Sequence, residues 1–130
     1  MDALLDALIR LAQQLQEKHG FHPFGGSVNS RGEVSIDGAY TGGEHPEPQE
    51  VIQVLYGGLT EQAQREDIRA AGVCTDVRLS EPIQSDAISV SLEPVDAEPI
   101  VVNLPYKRRR FRGFEYGDIV ATPGERRAFA

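Results

Sequence analysis

The chain has 130 residues and carries 13 Lys/Arg against 20 Asp/Glu, a formal net charge of −7. Its mix of apolar and charged residues excludes a disordered chain, and its apolar runs, three residues long at Ile100–Val102, are far too short for a membrane-spanning helix. The single cysteine, Cys74, excludes an internal disulfide, and the length fits one domain that buries about two-thirds of its unfolded surface.

The first twenty residues predict a helix from about 3 to 19. Leu4, Leu5, Leu8, Leu11, Ala12 and Leu15 recur at helical spacing, Asp2 suits the start, and Gly20 suits a left-handed C-terminal cap with Phe21 folding back on Leu15. The same stretch holds acids and amides where a signal peptide needs basic residues and an unbroken apolar run, so a cytoplasmic protein is expected. "SVNSRGEVSIDGAY" predicts a hairpin turning at Asn29–Gly32, with Val34, Ile36 and Tyr40 on one face. Pro48 then opens a second helix with Val51, Ile52, Leu55, Leu59 and Ala63 as its apolar stripe. Gly57–Gly58 in its middle suggests close packing on a sheet, or a kink.

The stretch 66–72 reads equally as helix end or strand start, whereas Val73, Thr75, Val77 and Leu79 alternate as a strand does. "DAISVSLE" and "PIVVNLPY" are two further strands, and "FEYGDIV" is a candidate fourth. Linkers this short make consecutive strands antiparallel neighbours. The expected fold is therefore α+β in two layers: helix, hairpin, helix, then a meander of three or four strands, with both helices on one face of an antiparallel sheet. Residues 1–120 form the domain and 121–130 a C-terminal tail.

Catalytic and metal signatures are sparse. His19 and His22 need not converge, since one ends a helix and the other precedes Pro23, and His45 stands beside Glu44 in a loop. Glu44, Glu47 and Glu50 read as helix-dipole partners, and Cys74 as a small buried strand residue. Neither a metal nor another cofactor is expected. A small-ligand or enzymatic pocket between helices and sheet would draw on Cys74, His22, His45 and Tyr106, and needs a deep apolar cavity with converging polar groups.

The charge is uneven. Residues 1–106 carry −11, and residues 107–130 carry +4. Five cations fall in Lys107–Arg112: Lys107, Arg108, Arg109, Arg110 and Arg112, with Phe111 among them and Phe114 and Tyr116 following. Cations interleaved with aromatics suit single-stranded nucleic acid, yet the acidic body repels phosphate at long range. The alternatives are a protein-docking loop or a run paired with the chain's own acids.

"FHPFGG", "SDAISVSLE" and "VNLPY" together resemble a family of small bacterial proteins with no assigned activity. That resemblance spans roughly residues 3–118 and implies the same α+β layout, with Phe24, Gly25, Asp86, Glu93 and Tyr106 as candidate site positions. From the residues alone, Phe24–Gly25 reads as a strand bulge or bend, Asp86 and Glu93 as water-facing, and Tyr106 as a strand-end ring with its hydroxyl in water. The overall expectation is a non-enzymatic module that engages a protein partner, with a homodimer as its expected state. A nucleic-acid accessory role through residues 107–112 is the alternative.

Overall fold

A computed structural model describes residues 2–18, 20–38, 47–65, 67–80, 84–109 and 113–129. The expected positions His19, Tyr40, Glu44, His45, Arg110, Phe111 and Arg112 lie outside the described residues. Among the described residues the order is α1 (Asp2–Lys18), β1 (Phe24–Asn29), β2 (Val34–Asp37), α2 (Pro48–Arg65), β3 (Ile68–Leu79), β4 (Ser85–Pro94), β5 (Ile100–Arg109), β6 (Gly113–Tyr116) and β7 (Val120–Pro123). The strands form one antiparallel sheet in the order β2-β1-β3-β4-β5-β6, with β7 beside the first half of β5. The fold is α+β, as the alternation of apolar residues implies.

Local chemistry sets the joints. Gly20 takes a positive φ and donates its N–H to the Leu15 carbonyl, which closes α1. Asn29 makes the hairpin turn: its Oδ1 accepts the N–H groups of Arg31 and Glu33 at 3.0 Å, and Gly32 supplies the left-handed residue. The ambiguous stretch resolves as strand from Ile68, because Ala70 and Ala71 pair with both β1 and β4 and are buried.

The placement of both helices on one face is corrected. Leu4, Leu8 and Ala12 of α1 pack with Ala70, Cys74, Ile88, Val90 and Leu104. Val51, Leu55 and Leu59 of α2 pack with Ala71 and Val73. Neighbouring residues of β3 point to opposite sides of the sheet, so the helices lie on opposite faces. The physical cause is visible in β1 and β3, whose interiors are buried on both sides and made of small residues.

Gly26 and Gly72 stand opposite each other in the ladder. A Cβ on Gly72 would sit 2.8 Å from Leu8 Cδ1, and one on Gly26 would sit 3.2 Å from Leu4 Cδ1. The pair is thus a flat seat for α1. Gly25 serves α2 in the same way, its missing Cβ facing Leu55 and Leu59. The β1 ladder is regular here and shifts register only between Val28 and Asn29, so close approach, not a bulge, explains Phe24–Gly25–Gly26. Gly57 and Gly58 show the reverse. Both are exposed, and a Cβ on either would meet nothing within 4 Å, so neither close packing nor helix-on-sheet contact accounts for them.

The segment read as a tail carries β7, and Ala128 beyond it is buried beneath α2. No helix among the described residues is long and apolar enough to cross a membrane.

Candidate functional site: an apolar groove closed by Asp76

The α1 stripe is wider than the sheet can cover. Leu4, Leu8 and Ala12 are buried, and Gln16 continues their line at 7% exposure. Leu11 and Leu15, on the flank, stay partly open. Beside them the chain turns at Gly20 and returns through Phe21 and Pro23 into β1. The result is a groove of about 710 Å³ between the C-terminal half of α1, the 20–24 segment, the end of β2 and the middle of β3. Leu11, Leu15, Phe21, Phe24 and Ile36 give it an apolar wall, and Ile36 is 42% exposed there. Phe21 and Phe24 meet edge to face at 5.6 Å, which fixes the angle of that wall.

The polar residues at the groove are His22, Asp37 and Asp76; no Lys or Arg belongs to its described lining. Asp76 is held in place. The Tyr106 hydroxyl donates to Asp76 Oδ1 at 2.6 Å, and among the described residues Oδ2 accepts no hydrogen bond. Tyr106 in turn is braced by aromatic neighbours, Phe114 at 5.6 Å and Tyr116 at 6.3 Å, while the Tyr116 hydroxyl donates to Gln16 Oε1 at 3.1 Å. Burial and the neighbouring Asp76 push the Tyr106 phenol well above its ordinary value. It therefore stays protonated and acts as a fixed donor, not as a base. What the groove can do chemically is grip an apolar side chain and present a carboxylate oxygen to a cation.

The candidate positions divide between several places. Phe24 lines the groove, and Tyr106 supports it through Asp76. Its hydroxyl is bonded to a carboxylate, not water, because β3 and β5 flank β4 and bring residues 76 and 106 to the same side. Asp86 stands opposite Tyr106 in the ladder, exposed as expected, and pairs with Arg78 at 3.4 Å. Gly25 faces α2. Glu93 corrects a second expectation: it is 4% exposed, not water-facing. Its carboxylate accepts the consecutive N–H groups of Arg127, Ala128 and Phe129 at 2.8, 2.9 and 2.7 Å. Arg127 also lies 3.9 Å over the Tyr56 ring. Glu93 is a strap anchor for the chain's C-terminal segment.

Of the basic run, Lys107, Arg108 and Arg109 are described. Arg109 pairs with Glu115, donating from Nε at 2.8 Å, and Arg108 lies 5.8 Å over Phe114. Part of the run is thus engaged with its own hairpin. Asp76 is the residue that sequence reading missed. Its signal was an acid on the same side of a strand as Ala70, Gly72 and Cys74, all of them small and apolar.

Cys74 is fully buried, and desolvation, reinforced by Asp76, pushes its thiol up to about 12. Native protein should leave Cys74 unmodified by a water-soluble thiol reagent near neutral pH, with stoichiometric labelling in denaturant. Rapid labelling of the folded protein would contradict the packing around β3.

The raised groups also fix the sign of the alkaline response. Cys74, Tyr56, Tyr106 and Tyr116 all hold their protons more tightly folded than unfolded. Stability is then intact below the unfolded values, about 8.5 for the thiol and about 10 for the phenols, and falls as pH rises through them. Urea midpoints measured across that range should decline, and Tyr106→Phe should flatten the decline above about pH 10. A flat profile in the parent protein would refute the sign.

The fold and groove define an α+β protein with an open antiparallel sheet and a helix on each face. Comparison with family models, curated proteins and solved structures gives no match.

Proposed function

We propose that this is a cytoplasmic, non-enzymatic interaction module that binds a positively charged protein segment. The observation that carries the reading is the groove: an apolar trough whose fixed polar group is the Asp76 carboxylate, with no cation in its described lining. The charge of the chain supports the same partner. Its first 106 residues carry −11, which draws a basic segment and repels phosphate backbones. The trough lies open along exposed His22, Ile36 and Asp76, which suits an extended segment that seats one Leu or Phe and sets a Lys or Arg beside it. The resemblance to small bacterial proteins is compatible with this role and assigns no competing activity.

Fluorescence anisotropy with labelled peptides tests the reading. Peptides with Lys or Arg beside Phe or Leu should bind at low salt, and the same peptides with Glu in place of the cation should not. Asp76→Asn should weaken binding about tenfold and Tyr106→Phe about threefold, since the second change frees the carboxylate without removing it. Equal binding of both peptide sets, or an Asp76→Asn variant as tight as the parent, would remove the groove from the account. Salt-sensitive binding of labelled single-stranded DNA, lost on Arg108→Glu, would replace it with the nucleic-acid reading.

A further inference from the structure

On the α2 side of the sheet a cleft of about 290 Å³ lies between Tyr56 of α2, Ser91 and Val101 of the sheet, and Pro123, Glu125 and Arg127 of the C-terminal segment. Its cation is positioned at both ends. Glu93 holds the Arg127 backbone N–H at 2.8 Å, and the guanidinium carbon lies 3.9 Å from the centre of the Tyr56 ring. A guanidinium seated on a ring keeps donors at its edge free. Arg10, Arg31, Arg65, Arg69, Arg78 and Arg109 each pair with a carboxylate. Among the described residues Arg127 pairs with none, although Glu93 and Glu125 line the same cleft. The Glu93 oxygens are occupied by the amides of residues 127–129, while Glu125 is exposed and makes no ion pair with a described residue. The cleft thus offers one fixed donor fork, one open carboxylate, the hydroxyls of Tyr56 and Ser91, and an apolar side at Val101 and Pro123.

We propose that this cleft binds a free α-amino acid, its carboxylate on the Arg127 guanidinium, its ammonium toward Glu125 and a small apolar side chain against Val101 and Pro123. Size limits the ligand first. At about 290 Å³ the cleft stands at the lower end of the roughly 300–1,000 Å³ of ligand pockets, which suits one amino acid and not a nucleotide or a long peptide. Charge then selects among small molecules. A phosphate dianion would meet the carboxylates of Glu93 and Glu125, and a simple amine would leave Arg127 unanswered. A zwitterion answers both signs at once. The guanidinium fork matches a carboxylate in two parallel hydrogen bonds, and the hydroxyls of Tyr56 and Ser91 can complete its shell. Such a ligand would also join the C-terminal strap to α2, because Arg127 and Glu125 lie on the one and Tyr56 on the other. This site goes beyond the groove reading and is independent of it, since the groove lies on the α1 side.

Titration of the full chain with each common L-amino acid up to about 10 mM, followed by NMR amide shifts, tests the proposal. At least one small apolar amino acid should move the amides of Ser91, Val101 and Arg127 saturably and slow amide exchange across 124–129. Arg127→Gln should weaken that binding about tenfold or more, and the carboxamide of the same amino acid should lose as much against the parent. Glu125→Gln should weaken the amino acid by about threefold, yet leave the matching carboxylic acid without an amine unaffected. Both side chains are exposed, so both variants fold. No saturable shift with any amino acid would overturn the proposal. So would an Arg127→Gln variant that binds as tightly as the parent, or inorganic phosphate bound as tightly as the amino acid.

Discussion

Glu93→Ala should lower the unfolding free energy by about 2–4 kcal/mol and release the C-terminal segment from the domain. Three hydrogen bonds to one buried carboxylate, at about 1.5–3 kcal/mol each, set an upper figure beyond that range. The loss is smaller because the freed N–H groups of residues 127–129 need not stay buried. The strap can lift into water, and the cost becomes that of exposing Ala128 and Phe129 and uncoupling β7. The signature is therefore local. Amide exchange should accelerate across 120–129 while the β3 amides change little, and Glu93→Gln should fall between parent and alanine variant. Unchanged exchange in the last ten residues would mean that the carboxylate does not hold them.

Gly26→Ala should cost about 2–3 kcal/mol, as overpacking of a tight interior does. The added Cβ would lie 2.7 Å from the Ser35 carbonyl oxygen and near Leu4 and Ile36, so backbone must move. A flexible side chain cannot absorb the clash alone. Gly57→Ala is the matched opposite. Its Cβ meets nothing, its site is helical, and alanine should stabilise by about 0.5–1 kcal/mol. Urea unfolding of the two variants beside the parent decides the matter, and equal effects would show that the glycine seat under α1 has been misjudged.

Much of this fold was legible in the residues. Helical spacing in 3–19, the Asn29–Gly32 turn and alternation in 85–92 and 100–104 carried their own signals, because each helix or strand gathers its large apolar residues on one side. The side on which α2 lies carried none. A helix stripe records that a surface is covered, not which surface, and only the doubly buried small residues of β1 and β3 disclose two cores. Residues 66–72 were ambiguous for the same reason: Ala70, Ala71 and Gly72 suit neither period. The groove depends on how far α1 overhangs the sheet, so Leu11 and Leu15 looked like ordinary core positions. Glu93 misled most. An acid ending a strand reads as solvated unless the segment that buries it, 34 residues onward, is known.

A strand that is floor to two cores at once cannot slide. In β3, Ala70, Gly72 and Cys74 lie under α1, and Ala71 and Val73 under α2. Displacement by one residue would push Val73 into the glycine seat of Leu8 and leave Leu55 facing Gly72, spoiling both sides together. Most half-buried strands lose one core contact set in such an error; β3 would lose two. Misregistered folding intermediates are thereby disfavoured from both directions.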